Sequence, residues 1–164
     1  MKDKIIYAIK SEIEHLKKQS YWEDICSFCL YTDEDATSLS LLFNTTKFYD
    51  LVMDTEYPLT YKFMPSEWFS ETLKLSDDEK IYSNYFFKEI EEVLKSKESN
   101  FYYNDFLDAM KYCVEQQIFP FKDHSIFLVM RSDCYDGERI FNDNSQFNST
   151  NTINELGKFI RTEL

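Results

Sequence analysis

Cys26 and Cys29 stand in the pattern Cys-x-x-Cys, the spacing at which paired thiolates grip zinc or cycle between dithiol and disulfide. Their setting argues against both. The run Trp22-Glu-Asp-Ile-Cys-Ser-Phe-Cys-Leu-Tyr31 is rich in apolar and aromatic residues and reads as a buried strand. Side chains three apart on a strand point to opposite faces, so the two thiols are expected not to meet. Cys113 and Cys134 are isolated, and neither His15 nor His124 lies near them in sequence, so all four cysteines are expected as reduced core thiols. The two histidines sit in no Ser or Cys motif. With only Gly137 and Gly157 in the chain, a nucleophile elbow, a Walker loop and a dinucleotide fingerprint are all excluded, because each needs several glycines.

Carboxylates are the remaining chemistry. They cluster at Asp33, Glu34 and Asp35, at Asp77, Asp78 and Glu79, at Glu91 and Glu92, and at Asp133, Asp136 and Glu138. The trio at 77 to 79 is accounted for by helix capping, and Glu91 with Glu92 by a solvated helix face. The loops at 33 to 35 and 133 to 138 each follow an expected core strand, which would let them converge at one edge of a sheet. Ser132-Asp-Cys-Tyr-Asp-Gly137-Glu superficially resembles a calcium loop, but it would need Ser132 and Cys134 as its first and third ligands. It therefore reads as a turn.

Net charge sharpens this picture. The 164 residues carry −12, while the first 20 hold five lysines against Asp3, Glu12 and Glu14. The first helix is basic and the body acidic. Such a field repels nucleic acid and anionic lipid and suits a basic protein partner. Phe, Trp and Tyr make up 18% of the chain. Most belong to a core, whereas Trp68, Tyr102, Tyr103 and Tyr135 fall near helix starts or loops, where an exposed edge beside acid suits protein recognition.

These residues need elements to position them. Ile5, Ile9, Ile13 and Leu16 give residues 3 to 19 the spacing of an amphipathic helix. The strand ending at Tyr31 and a second over 38 to 43 form an antiparallel hairpin. Asn44-Thr-Thr caps a helix over 46 to 53, and residues 59 to 63 return as a third strand. Pro65-Ser-Glu67-Trp68 starts another helix. The capping boxes Ser76-Asp-Asp-Glu79 and Thr152-Ile-Asn-Glu155 open two more, the first with Phe86, Ile90, Val93 and Leu94 inward, the last with Ile153, Leu156, Phe159 and Ile160. Between them Asn100 or Asn104 starts a helix that turns Leu107, Met110 and Val114 inward. Ser125-Ile-Phe-Leu-Val-Met130 is the clearest strand, followed by a polar stretch to Asn151. The expected fold is one α+β domain over residues 1 to 164: a small, mostly antiparallel sheet of about four strands with helices packed over it. The N-terminus has too short an apolar stretch for a signal peptide, and no apolar run approaches a membrane span, so a cytoplasmic location is expected.

Two stretches resemble an uncharacterised bacterial family, domain-of-unknown-function family 4303. One is Ser27-Phe-Cys-Leu-Tyr-Thr-Asp-Glu-Asp35 followed by Ser38-Leu-Ser-Leu-Leu-Phe-Asn-Thr45; the other is Tyr61-Lys-Phe-Met-Pro-Ser-Glu-Trp68. Ile126-Phe-Leu-Val-Met-Arg-Ser-Asp133 is similar to the family's late strand and acidic loop. The resemblance implies a small bacterial α+β domain and supplies no activity.

Together these readings point to a non-enzymatic, acidic protein-binding domain, plausible as an immunity-type protein that neutralises a basic toxin partner. Its interaction surface is expected at Asp33, Glu34, Asp35, Glu67, Trp68, Asp133, Tyr135 and Asp136, with no cofactor, metal or catalytic residue. The alternative is a small-ligand or divalent-metal-binding enzyme built on Asp33, Asp35, Glu67 and Asp133.

Overall fold

A computed structural model describes residues 1–72, 85–98, 100–120, 122 and 124–164. Among them, strands β1 (Ile25–Thr32), β2 (Ser40–Thr45) and β3 (Ile126–Arg131) form one sheet in the order β2-β1-β3. β1 pairs antiparallel with β2 through the expected hairpin, and parallel with β3. The fold is α+β with a mixed three-stranded sheet, not a mostly antiparallel one of four.

Helices cover both faces. On one, Phe28, Leu30, Leu41, Phe43, Phe127 and Val129 meet α1 (Lys2–Leu16), α5 (Lys88–Leu94) and α6 (Tyr103–Glu115) in a single buried cluster. On the other, Cys29, Leu42, Leu128 and Met130 meet α3 (Pro58–Phe63), α7 (Gly137–Ser145) and α8 (Thr150–Thr162). The two short helices α2 (Thr46–Val52) and α4 (Phe69–Thr72) flank β2. A sheet covered on both faces needs apolar residues without alternation. All six residues of β3 are buried, as are all of β1 except Tyr31.

The expected third strand is α3. Pro58 occupies its first turn, and Leu59 and Phe63 are both buried; a separation of four residues puts two side chains on one face of a helix as readily as on one face of a strand. Pro65–Glu67 forms a 3₁₀ turn before the very short α4. The polar stretch after β3 contains α7, whose N-cap Asp136 accepts a hydrogen bond from the Arg139 amide. α8 begins a turn before its expected box, capped by Ser149, and Thr152 is buried within it. α6 turns Phe106, Met110 and Cys113 inward, one residue out of step with the Leu107 and Val114 expected there. The box at Ser76 to Glu79 lies outside the described residues.

The free edge of β3 explains why the sheet needs no further strand beside it. The Asn144 amide accepts from the Val129 amide N–H at 2.7 Å and donates to the Val129 carbonyl at 3.3 Å. Asn148 does the same for Phe127, at 2.9 and 2.6 Å. Two asparagines four residues apart, one on α7 and one just beyond it, thus supply from side chains the bonds that a neighbouring strand would make. The edge of β2 is partly met in the same way, with the Ser70 hydroxyl accepting from the Phe43 amide at 3.1 Å.

Candidate functional site

Parallel pairing decides where the acidic loops go. Thr32 sits opposite Arg131, and the Ser132 amide donates to the Thr32 carbonyl at 2.7 Å. The chain therefore leaves β1 and β3 side by side at their C-terminal ends, and the next residues are Asp33 and Asp133. In parallel sheets this is the end at which ligands commonly bind.

The carboxylates there differ in exposure. Asp33 accepts from the Thr37 amide and hydroxyl, each at 2.7 Å, and its own amide donates to the Ser38 hydroxyl at 3.1 Å. Burial opposes its charge, but these hydrogen bonds from Thr37 and Ser38 outweigh it and hold the carboxyl below the usual range. Glu34, Asp35, Asp133 and Asp136 are exposed, with Asp136 engaged as the cap of α7. Asp133 has φ 55°, a left-handed conformation that Asp tolerates better than most residues. Tyr135 is 68% exposed. The Tyr31 hydroxyl ties these groups together: burial raises its pKa, and Cys29, Asp133, Glu71 and Tyr135 raise it further. Asp133, Tyr135 and Glu71 thus lie within electrostatic reach of one phenol.

Beneath this edge lies a cation that the sequence reading passed over. Arg131, the last residue of β3, is buried; its guanidinium carbon stands 3.9 Å from the centroid of the Tyr103 ring, and its Nε and one Nη have no hydrogen-bond partner. Arg139 lies 5.1 Å from the same ring and 3.7 Å from Asp143, which accepts from the Tyr103 hydroxyl at 2.9 Å. A cation on an aromatic face is stabilised without an anion. Only its position at the end of an apolar strand could have singled Arg131 out.

Residues 5–144 match the family described as Domain of unknown function (DUF4303). The chain belongs to this family. No curated protein and no solved structure matches it. The DUF4303 match takes in all three strands, both acidic loops and nearly all of α7, while α8 falls beyond it.

Two of the expected surface residues stand apart from the acidic edge. Glu67 is exposed in a shallow depression beside Glu56, Tyr57, Thr60 and Glu163. Trp68 is not a surface residue at all: it is fully buried in the second cluster, with its indole N–H unpartnered. The 3₁₀ turn at Pro65–Glu67 ends in extended backbone at Trp68, and the ring packs inward. Tyr103 is buried as well, and Phe101 beside it is 64% exposed.

The cysteine pair also departs from the expected arrangement. Ile25 pairs with Thr45 and Ser27 with Asn44, so Cys26 is the extra residue of a β-bulge and the period of two breaks there. Cys26 lines a cavity together with Ser27 and Ile126, and Ile126 packs in the same cluster as Cys29. The bulge interrupts the alternation at Cys26, which lies at the cavity rather than in either core cluster. All four cysteines are free, and burial is the first cause pushing the thiols of Cys26 and Cys29 up and that of Cys113 to about 12, away from nucleophilic chemistry. Among the described residues, no three His, Cys, Asp or Glu side chains gather as metal ligands, and no helix is long and apolar enough to cross a membrane.

Proposed function

We propose that this DUF4303 chain is a non-enzymatic domain that binds a basic protein through the acidic edge at the C-terminal ends of β1 and β3, in the role of a cytoplasmic immunity-type protein. The observation that carries this reading is the parallel register of Thr32 with Arg131. It gathers Glu34, Asp35, Asp133 and the exposed Tyr135 ring at one end of the sheet. Exposed carboxylates around an amphipathic aromatic offer a cationic surface both charge and a ring to stack upon. The net charge of −12 adds a long-range field that speeds encounter with a basic partner and repels nucleic acid.

The surface is accordingly narrower than the sequence suggested: it excludes Trp68 and Glu67, and Asp33 shapes the loop more than it meets the partner. An enzyme centred on Asp33, Asp35, Glu67 and Asp133 has less in its favour, because Glu67 lines a different depression. The test is affinity capture with the full chain, followed by binding measurements on any basic partner at low and at high salt. Binding that weakens steeply with salt and is abolished by the triple variant E34K/D35K/D133K is expected. A complex indifferent to both would overturn the reading.

A further inference from the structure

At the opposite end of β1 from the acidic edge, the bulge at Cys26 opens a cavity of about 240 Å³. This is a little below the roughly 300–1,000 Å³ that drug-sized ligands occupy. Four parts of the chain build it. β1 and β3 give a floor of Cys26, Ser27 and Ile126; the first turns of α2 give a wall of Thr46, Tyr49 and Asp50; α3 contributes Lys62, and His124 stands at the rim before β3.

Most polar groups in this lining are already engaged. Lys62 Nζ lies 2.6 Å from a Glu155 carboxylate oxygen and 5.4 Å from the centroid of the Tyr49 ring, so its charge is balanced within the protein. Asn44 holds the Tyr61 carbonyl and the Phe69 amide. The Thr46 hydroxyl and His124 Nε2 are 3.5 Å apart, and the Cys26 thiol reaches the Asn44 carbonyl at 3.6 Å. Asp50 is different. It is exposed at the mouth and has neither an ion-pair nor a hydrogen-bond partner among the described residues. After burial, the charges raising the Tyr49 hydroxyl are those of Glu155, Asp50 and Glu163, with Lys62 the counter-charge beside them and Lys122 acting on Cys26 on the floor. A cation would find Asp50 unpaired, with an apolar floor beyond it.

We propose that this cavity binds a small primary amine with an apolar body, its ammonium paired with Asp50 and its body resting on Cys26 and Ile126. The buried Ser27 hydroxyl, whose recorded contact is the Cys26 sulfur at 3.6 Å, is available to a polar group at the far end of such a ligand. The proposal is independent of the acidic edge and uses none of its residues, so either can fail alone.

The test is an amide NMR titration of the full chain with tyramine, set against 4-hydroxyphenylacetate, which replaces the ammonium with a carboxylate. Tyramine is expected to shift the amides of Cys26, Ser27, Thr46 and Ile126 and to bind at millimolar or better affinity, while the carboxylate leaves them unmoved. Asp50→Asn, at an exposed position that should leave folding intact, is expected to weaken tyramine about tenfold, the loss of one charge-assisted contact. A cavity-filling Cys26→Met variant is expected to abolish the shifts. The inference is overturned if about 10 mM tyramine moves none of these amides. Equal binding by Asp50→Asn, or tighter binding of the carboxylate, would overturn it too.

Discussion

The acidic edge and the buried side of α1 both hold carboxylates, and the two are in opposite conditions. At the edge, Asp33 is met by three hydrogen-bond donors or acceptors from its own loop, and its pKa is lowered. On α1, Glu12 is 2% exposed, its Oε2 has no partner, and burial raises its pKa to about 7. A concentration of acid in sequence is therefore a poor guide to where charge is strained. The crowded loops are solvated or self-satisfied, and the buried acid on α1 bears the desolvation.

The sharpest way to probe that contrast is a buried polar residue that does have its partners. Asn144 is fully buried and makes three bonds, to the Val129 amide, the Val129 carbonyl and the Ile140 carbonyl. Asn144→Ala leaves two backbone groups of β3 facing a cavity. At about 1–3 kcal/mol for each unsatisfied group, a loss of roughly 3 kcal/mol is expected in urea unfolding. A loss below about 0.5 kcal/mol would mean that water replaces the amide and that the edge of β3 is not sealed by side chains.

Glu12 should act in the other direction. Its folded pKa of about 7 exceeds the model-peptide value of 4.5, so the folded state holds the proton more tightly. The associated stability is complete below pH 4.5 and is lost as pH rises through 7. Stability is expected to fall by roughly 3 kcal/mol across that window. Glu12→Gln should flatten the profile, and Glu12→Met should raise the melting temperature at pH 8. An unchanged slope in Glu12→Gln would place the titration elsewhere.

These buried residues also mark where the sequence stopped being informative. α1, β1, β2, α2 and β3 were legible because their apolar runs and the Asn44-Thr-Thr cap act locally. The parallel partner of β1 was not: β3 lies more than 90 residues downstream, and an unbroken apolar run fits either direction of pairing. α7 was missed because Gly137-Glu-Arg-Ile-Phe-Asn-Asp-Asn-Ser145 carries few apolar residues, and its buried face includes Asn144, whose value lies in the strand edge it seals. The acidic loops were expected as neighbours because each follows a core strand, but it is the parallel pairing of β1 with β3 that puts Asp33 beside Asp133. Trp68, expected at the surface, is buried after a 3₁₀ turn where a regular helix start was expected. Cys26 shows the same sensitivity, since a single inserted residue interrupts the alternation of β1 there.

Gly137 gives a smaller effect and tests how firmly the acidic edge is anchored. A methyl group there would meet Ile160 Cγ2 at 2.4 Å, so α7 and α8 approach each other too closely at this point for any side chain. Gly137→Ala is expected to cost about 2 kcal/mol by overpacking, offset slightly by better helix propensity. Because Asp136 caps α7 one residue earlier, the shift should also disturb the amides of Asp133 to Asp136 in an NMR spectrum. If stability falls while those amides stay in place, the acidic loop is held by the end of β3 rather than by α7.

Asp33 should give the smallest change in stability and the most specific one. Asp33→Ala removes the acceptor for the Thr37 amide and hydroxyl without touching the sheet, and a capping-type loss of about 1 kcal/mol is expected. The lowered pKa fixes the pH dependence: the contribution is present above the model-peptide value of 3.8 and disappears as pH falls through the still lower folded value. Wild type and Asp33→Ala should therefore differ at pH 7 and converge near pH 2. Asp33→Asn separates the two roles open to this residue. The amide oxygen still accepts from Thr37 and preserves the loop, but the charge is gone. If Asp33 is a loop-former, Asp33→Asn keeps most of the stability and most of any affinity for a basic partner, and the Glu34, Asp35 and Asp133 carboxylates carry the binding. If Asp33→Asn loses affinity as severely as E34K/D35K/D133K while remaining folded, the division between loop-forming and partner-facing acid at this edge is wrong, and Asp33 belongs with the carboxylates that meet the partner.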